Sequence, residues 1–278
     1  MIDFAYKKTV INFLKSQGTK AKKHFSQNFL VNHGTLNKII TAANLTTADV
    51  ALEIGCGLGV LTAELARHAG SILVFEKDRQ MISLAKQNLA EYKNISFIES
   101  DVLNIPPPNQ LYKLVANIPY AITTPILTHF LLAKSPSLRP KLAVLMLQKE
   151  VAEKITAQPP HMNLLAILVQ VFGIPKIIAT IPASHFYPSP KIDSAILKID
   201  MHNAPAVSCD TEKFFSIVRA AFNQKRKILA STLTSSLKRP KAEIQNTLHQ
   251  LNINPLARPE NLSIVDWDRL VNISSNSF

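Results

Sequence analysis

The chain has 278 residues, 47% hydrophobic and 18% charged; that suffices for one large domain, or one plus a small one, and excludes a disordered chain. Its 31 Lys and Arg against 19 Asp and Glu leave a net charge of +12, the footprint of a polyanion partner such as nucleic acid, although a basic protein without such a partner has the same balance. Two cysteines exclude a disulfide framework and a Cys-rich zinc site, and no apolar run approaches the roughly 18 residues of a membrane span.

The basic excess is denser at the ends: net +5 over residues 1–30, +3 over 31–200 and +4 over 201–278. Met1-Ile2-Asp3-Phe4 lacks the apolar core of a secretory signal, so the cytoplasm is the expected compartment. The first segment, Lys7 to Lys23, is basic and polar and runs into His24-Phe25-Ser26-Gln27-Asn28-Phe29-Leu30. Three apolar residues so close together predict an arm that packs on the main domain.

Strand-like and helix-like pieces then alternate. Val50–Ile54 is a short apolar run before a glycine cluster, and Leu58–His68 has helical spacing. Ser71–Phe75 predicts a second strand ending at Glu76, and 79–91 a helix. Ile95–Ile98 predicts a third strand ending near Asp101, and Lys113–Ala116 a fourth ending at Asn117. A helix over 123–134 and a strand over 142–147 follow, with a further strand-like stretch at 192–199. This order predicts an α/β fold with a mostly parallel sheet, whose strand ends share one ligand-binding edge. Beyond a linker at 202–209 the pattern is helical only, over 213–222, 225–237, 241–251 and 264–273. The expected organisation is therefore a sheet domain over 1–203 and a small helical domain over 204–278.

Three of the seven glycines fall in Gly55-Cys56-Gly57-Leu58-Gly59. Glycine between a strand and a helix lets backbone approach a ligand closely and exposes helix N-terminal amides to it, although a tight turn without a ligand has the same spelling. A dinucleotide fingerprint would need glycine at position 60, which is Val60, so a dinucleotide oxidoreductase is disfavoured. Glu76 at the second strand end suits ribose hydroxyls, and Asp101 at the third suits an adenine amino group. The arrangement resembles the Rossmann-like class I S-adenosylmethionine-dependent methyltransferases. Cys56 reads as a small turn residue rather than a reactive thiol.

Asn117-Ile118-Pro119-Tyr120 ends the fourth strand. The lone pair of an exocyclic amine is delocalised into its ring and attacks poorly. Acceptors on the amine protons, here the Asn117 side-chain carbonyl and the Ile118 backbone carbonyl, can free it. Pro119 fixes the turn and has no N–H, and Tyr120 offers an aromatic face. The same four residues also suit a plain turn before a helix, with Tyr120 as packing.

Asn-Ile-Pro-Tyr resembles the signature of amino methyltransferases. In combination with Lys23–Leu30, Glu53-Ile54-Gly55, Leu147–Val151, Phe186–Ser194 and Ala221–Lys227, the chain is similar to the ribosomal RNA adenine N6-dimethyltransferases from residue 22 to about 230. The resemblance implies S-adenosylmethionine as cofactor, with Asn28 and Leu30 lining its pocket, Gly55 at the methionine part, Glu76 at the ribose, Asp101 at the adenine and Asn117 between cofactor and substrate, and it implies no metal. It implies that the target adenine stacks between Tyr120 and Phe186, the loop being held by Ser189 and Pro190. Gln224-Lys225-Arg226-Lys227, with Lys20, Lys22, Lys23, Arg219 and Arg239, would track RNA phosphates, although a basic helix start is often only a solvated face. The implied substrate is a pair of adjacent adenosines in the 3′-terminal hairpin loop of small-subunit rRNA, modified during ribosome assembly. A basic chain with no hydrophobic heptads and no membrane-length apolar run is expected to be a monomer without a membrane partner. Two alternatives share the scaffold: a resistance-type methyltransferase of large-subunit rRNA, and a non-catalytic nucleic-acid-binding factor. One stretch departs from the family. Ala157-Gln158-Pro159-Pro160-His161-Met162-Asn163 stands where a Gly/Ser/Lys-rich turn is usual, which stiffens a loop that glycine would loosen. His161 reads as a surface residue.

Overall fold

The computed structural model describes residues 2–22, 25, 27–223, 227–237 and 239–276, with the side chains of 235–237 and 274–276 left aside. The chain forms two compact units, Met1–Ala152 with Lys176–Met201, and Glu153–Pro175 with His202–Phe278.

The first unit begins with helix α1 (Lys7–Ser16), strand β1 (Phe29–Leu30) and helix α2 (His33–Ala43). Then come β2 (Val50–Ile54), α3 (Val60–His68), β3 (Ser71–Glu76), α4 (Arg79–Asn88), β4 (Ile95–Glu99), β5 (Lys113–Asn117), α5 (Thr123–Leu131) and β6 (Leu142–Gln148). Helices α6 (Lys149–Ile155) and α7 (Leu164–Phe172) lead to β7 (Gly173–Ile181), β8 (Phe186–Tyr187) and β9 (Ser194–Met201). Seven strands make one sheet in the order β4-β3-β2-β5-β6-β9-β7. β2, β3, β4, β5 and β6 pair in parallel, and β9 is antiparallel to β6. Chain direction across the sheet reverses between β2 and β5, and open α/β sheets bind ligands beyond the strand ends at such a point. β6 is buried at six of its seven positions, which is why it reads as an unbroken apolar run rather than an alternation.

Side-chain caps set the helix starts. Asn32 accepts from Thr35 N at α2, Asp78 from Gln80 N at α4 and Asn163 from Leu165 N and Ala166 N at α7, each satisfying a backbone donor that the helix leaves free. α3 starts two residues later than the helical spacing suggests, because Gly59 is its N-cap, with φ 88°.

The turn from α3 into β3 leaves no room for a side chain. A Cβ on Gly70 would stand 2.1 Å from the Thr47 carbonyl oxygen. The segment it would push is fixed, because Lys113 Nζ contacts both Asp49 Oδ2 at 2.9 Å and Asn44 O. Gly70→Ala is expected to cost about 1–3 kcal/mol, read as a lower urea midpoint at unchanged m-value.

The N-terminal segment is structured, as the arm reading expects, and more regularly so. Val10 and Leu14 of α1 are buried in a cluster with Phe4, Phe29, Leu58, Met81 and Leu84. β1 pairs antiparallel with β8, Phe29 against Tyr187 and Leu30 against Phe186. Successive strand residues face opposite ways, so Leu30 and Phe186 join the core cluster with Leu36 and Val115, while Phe29 and Tyr187 pack toward Leu58 and Met81.

The second unit contains α7 with α8 (Thr211–Phe222), α9 (Leu229–Leu237), α10 (Lys241–Gln250) and α11 (Ile264–Asn276). Residues 153–175 thus pack with the C-terminal helices, where the linear reading placed them in the sheet domain. α7 is apolar almost all round, buries six of its nine residues and contacts α8 and α11. A helix with no polar face has to be covered on every side. The Pro159-Pro160 loop is pinned within this unit: Asn261 Nδ2 donates to Pro160 O at 3.3 Å, and Met162 N to Glu260 O at 2.9 Å. His161 is exposed.

Candidate active site

A cavity of about 210 Å³ opens beyond the ends of β2, β3, β4 and β5. Asn28, Leu30, Gly55, Glu76, Asp101, Asn117, Ile118, Pro119 and Tyr120 all line it, so nine of the ten expected site residues meet in one place. The tenth does not. Phe186 has no exposed surface in the ligand-free structure and packs in the core opposite Leu30, so it does not line the cavity beside Tyr120. The reason is the two-residue period of β8: pairing with β1 turns position 186 inward and position 187 to the other side.

The glycine loop forms the floor. Gly55, Gly57 and Gly59 all have positive φ, and a Cβ on Gly59 would meet Leu89 at 2.7 Å. Glu76 holds the loop from the next strand. Its Oε1 accepts from Lys77 N and Asp78 N at 2.8 Å each, and its Oε2 from Gly57 N at 3.3 Å. Burial pushes its carboxyl up, and these three amides oppose the rise. Asp101 caps the short turn Val102–Asn104 through Leu103 N and takes Lys77 Nζ on its other oxygen at 3.0 Å. Lys77 holds its carboxyl below the ordinary value. Burial raises the Cys56 thiol well above its usual value, which fits an inert turn residue.

Glu53 is 1% exposed, and its Oε2 has no hydrogen-bond partner among the described residues. Burial, with the Glu76 carboxylate adding to it and the Thr62 hydroxyl opposing, pushes its carboxyl up to about 8. The folded chain therefore keeps a proton that the unfolded chain loses from about pH 4.5. Between those values the folded state binds more protons, so stability falls as pH rises. In the ligand-free protein the melting temperature is expected to drop from pH 5 to pH 8, and Glu53→Gln to remove most of that slope, worth on the order of a few kcal/mol. Parallel pH profiles for the two proteins would contradict it. Glu53, Glu76 and Asp101 together give the cavity acceptors suited to a cationic ligand bearing hydroxyl and amino groups, and the orphaned Glu53 oxygen lacks the donor that an ammonium would bring.

The arm closes one side. Asp78, 4% exposed, takes Lys22 Nζ at 2.9 Å and Gln27 Nε2 at 2.8 Å. Burial works against its charge, but these two donors hold the carboxyl below its ordinary value. Lys22, expected on RNA, is thus spent on the arm, and Arg239 pairs with Glu243 at 2.9 Å. Lys20, Arg219 and Lys227 are exposed. Lys23, Gln224, Lys225 and Arg226 lie outside the described residues.

The Asn117 amide nitrogen donates to Asn28 O at 3.3 Å, which leaves the side-chain carbonyl for the cavity. Ile118 N is tied to Met146 O at 3.0 Å, and Pro119 leads into the turn Tyr120–Ile122. Tyr120 Oη lies 2.6 Å from Ser194 Oγ, and burial raises its phenol while that contact opposes. Sequence reading missed the Asn28 carbonyl, the Asp78 clamp and Ser194 because each acts through a residue far away in the chain. Glu53 carried a signal, a carboxylate inside an apolar strand just before the glycines. No group able to hold a metal occurs among the described residues.

The chain is similar to known proteins over most of its length. A family described as "Ribosomal RNA adenine dimethylase" matches residues 18–276. A protein named "Ribosomal RNA small subunit methyltransferase A" from Dehalococcoides mccartyi is 40% identical over 90% of this chain and 87% of its own. One of the same name from Bacillus pumilus is 36% identical over 94% and 93%. Among solved structures, a dimethyladenosine transferase from Plasmodium falciparum is similar with TM-score 0.76 and 28% identity, over 89% of this chain and 98% of that one. The 23S rRNA methyltransferase ErmE is similar with TM-score 0.74 and 26% identity, over 89% and 100%.

Proposed function

We propose, from the premise that this chain belongs to the ribosomal RNA adenine dimethylase family, that it dimethylates two adjacent adenosines of the 3′-terminal hairpin loop of small-subunit rRNA during ribosome assembly. The enzyme is an S-adenosylmethionine-dependent rRNA adenine methyltransferase of the small subunit. The observation that carries the finer reading is the meeting of Asn117-Ile118-Pro119-Tyr120 with the acidic strand ends in one cavity.

S-adenosylmethionine, when bound, supplies a methyl carbon already activated by its sulfonium. Gly55 and Glu53 would hold its methionine end, Glu76 the ribose hydroxyls and Asp101 the adenine amino group, with Asn28 and Leu30 as the wall on the arm side. The Asn117 carbonyl and the Ile118 carbonyl accept the two protons of the target amine. That draws the nitrogen toward tetrahedral geometry and frees its lone pair for in-line attack, so positioning supplies most of the rate. Methyl transfer from the bound sulfonium would leave the target nitrogen with a surplus proton, which passes to water. The Tyr120 ring stacks on the splayed-out base and offsets the cost of unstacking it. Phosphate contacts come from the basic residues that remain exposed, Lys20, Arg219 and Lys227, together with the cluster beginning at Gln224. The same reading puts the protein in the cytoplasm, where its RNA substrate is assembled.

The test is methyl transfer from labelled S-adenosylmethionine to unmethylated small subunits, with the product nucleosides mapped. Dimethyladenosine at two adjacent 3′-terminal positions is expected. Transfer to large-subunit RNA instead would overturn the substrate assignment.

A further inference from the structure

We propose that Ser194 is a positioning residue for methyl transfer: from the first position of β9 its hydroxyl fixes where the Tyr120 ring stands at the cavity wall. The inference rests on the reading of Tyr120 as the face on which the target base stacks.

Ser194 is fully buried, in a strand whose next three residues are the apolar Ala195, Ile196 and Leu197, all buried too. A hydroxyl in such a place has to find a partner, and this one lies 2.6 Å from Tyr120 Oη, 74 positions away in sequence. The strand start is held firmly. Ser194 pairs in register with Gln148 of β6. Its neighbour Asp193 takes Lys149 N on its carbonyl at 3.1 Å and Ala183 N on its carboxylate at 3.0 Å. Tyr120, by contrast, sits on a single short turn, half-buried at the cavity wall. A tyrosine ring attached only at Cβ can swing about χ1 and turn about χ2. A bond at the opposite end, at Oη, stops the swing, so the position of the ring is set by the sheet rather than by the turn alone. A displacement of about 1 Å in a reacting group is enough to cost a hundredfold in rate, so a fixed ring at this place matters more to kcat than to binding.

The experiment is a double-mutant cycle on the full-length enzyme with unmethylated small subunits. Ser194→Ala is expected to lower kcat about tenfold, with the Kd for S-adenosylmethionine and the melting temperature little changed. Tyr120→Phe, which removes the other half of the same bond, should lose a similar factor. The double variant should lose no more than either single one, because both remove one interaction. Full kcat in Ser194→Ala, losses that multiply in the double variant, or a kcat loss matched by falls in cofactor affinity and melting temperature would each overturn the inference. Tyr120→Ala separates the two levels of the argument. A large loss there beside an unaffected Ser194→Ala removes the role of Ser194 alone. An unaffected Tyr120→Ala removes the stacking reading and this inference with it.

Discussion

Asn117→Ala is expected to lower kcat for methyl transfer by about 10²–10³-fold, the scale on which a positioned polar group acts in a transition state. The Kd values for S-adenosylmethionine and for RNA should stay within about threefold. The Asn117 amide nitrogen is committed to the Asn28 carbonyl, so the carbonyl end faces the cavity as an acceptor held before substrate arrives. Alanine removes that acceptor and leaves the β5 backbone, buried at Leu114–Ala116, as it was. Single-turnover kinetics beside equilibrium binding distinguish the outcomes. Equal losses in rate and in cofactor affinity would make Asn117 a brace for the arm through Asn28 rather than a catalytic residue.

Glu76→Ala is the second large effect, and it falls on binding. The Kd for S-adenosylmethionine is expected to rise about 100-fold, since a hydrogen bond to a charged group is worth about 1.5–3 kcal/mol. Part of the loss arises in the protein itself, because Glu76 Oε2 also accepts from Gly57 N, and without it the glycine loop keeps, among the described residues, only the backbone bond from Gly55 N to Phe75 O as its hydrogen bond to β3. Glu76→Gln, which keeps the shape and one acceptor, should fall between. Calorimetric titration reads the affinity and a melting curve reads the loop. A lower melting temperature with unchanged affinity would leave Glu76 as a loop brace only.

The relation of these residues to the sequence is uneven. Glu76, Asp101 and Asn117 were legible because each ends a short apolar run, and consecutive parallel strands bring their ends to one edge whatever the details of packing. β7 was not. It follows α7 with no intervening turn, Gly173 being at once the C-cap of the helix and the first strand residue. It is also the last strand of the sheet, and it leaves Ile174 and Ile178 exposed, so its apolar pattern does not report burial. The helix starts at Asn32 and Asp78 were written in capping residues that only the backbone geometry singles out.

By itself the sequence determined the α/β class, the glycine loop and the meeting of Glu76, Asp101 and Asn117 at one sheet edge, because these follow from local periodicity and from the order of elements. Only the tertiary structure decided the rest. The pairing of β8 with β1 decided that Phe186 is core, since one residue of register moves a side chain to the opposite face. Burial of all sides of α7 decided that residues 153–175 pack with the C-terminal helices. The meeting of β9 with the turn at Tyr120 decided that a buried serine holds the ring, since contacts between residues 74 apart are set by how the sheet closes and leave no periodic trace in the chain.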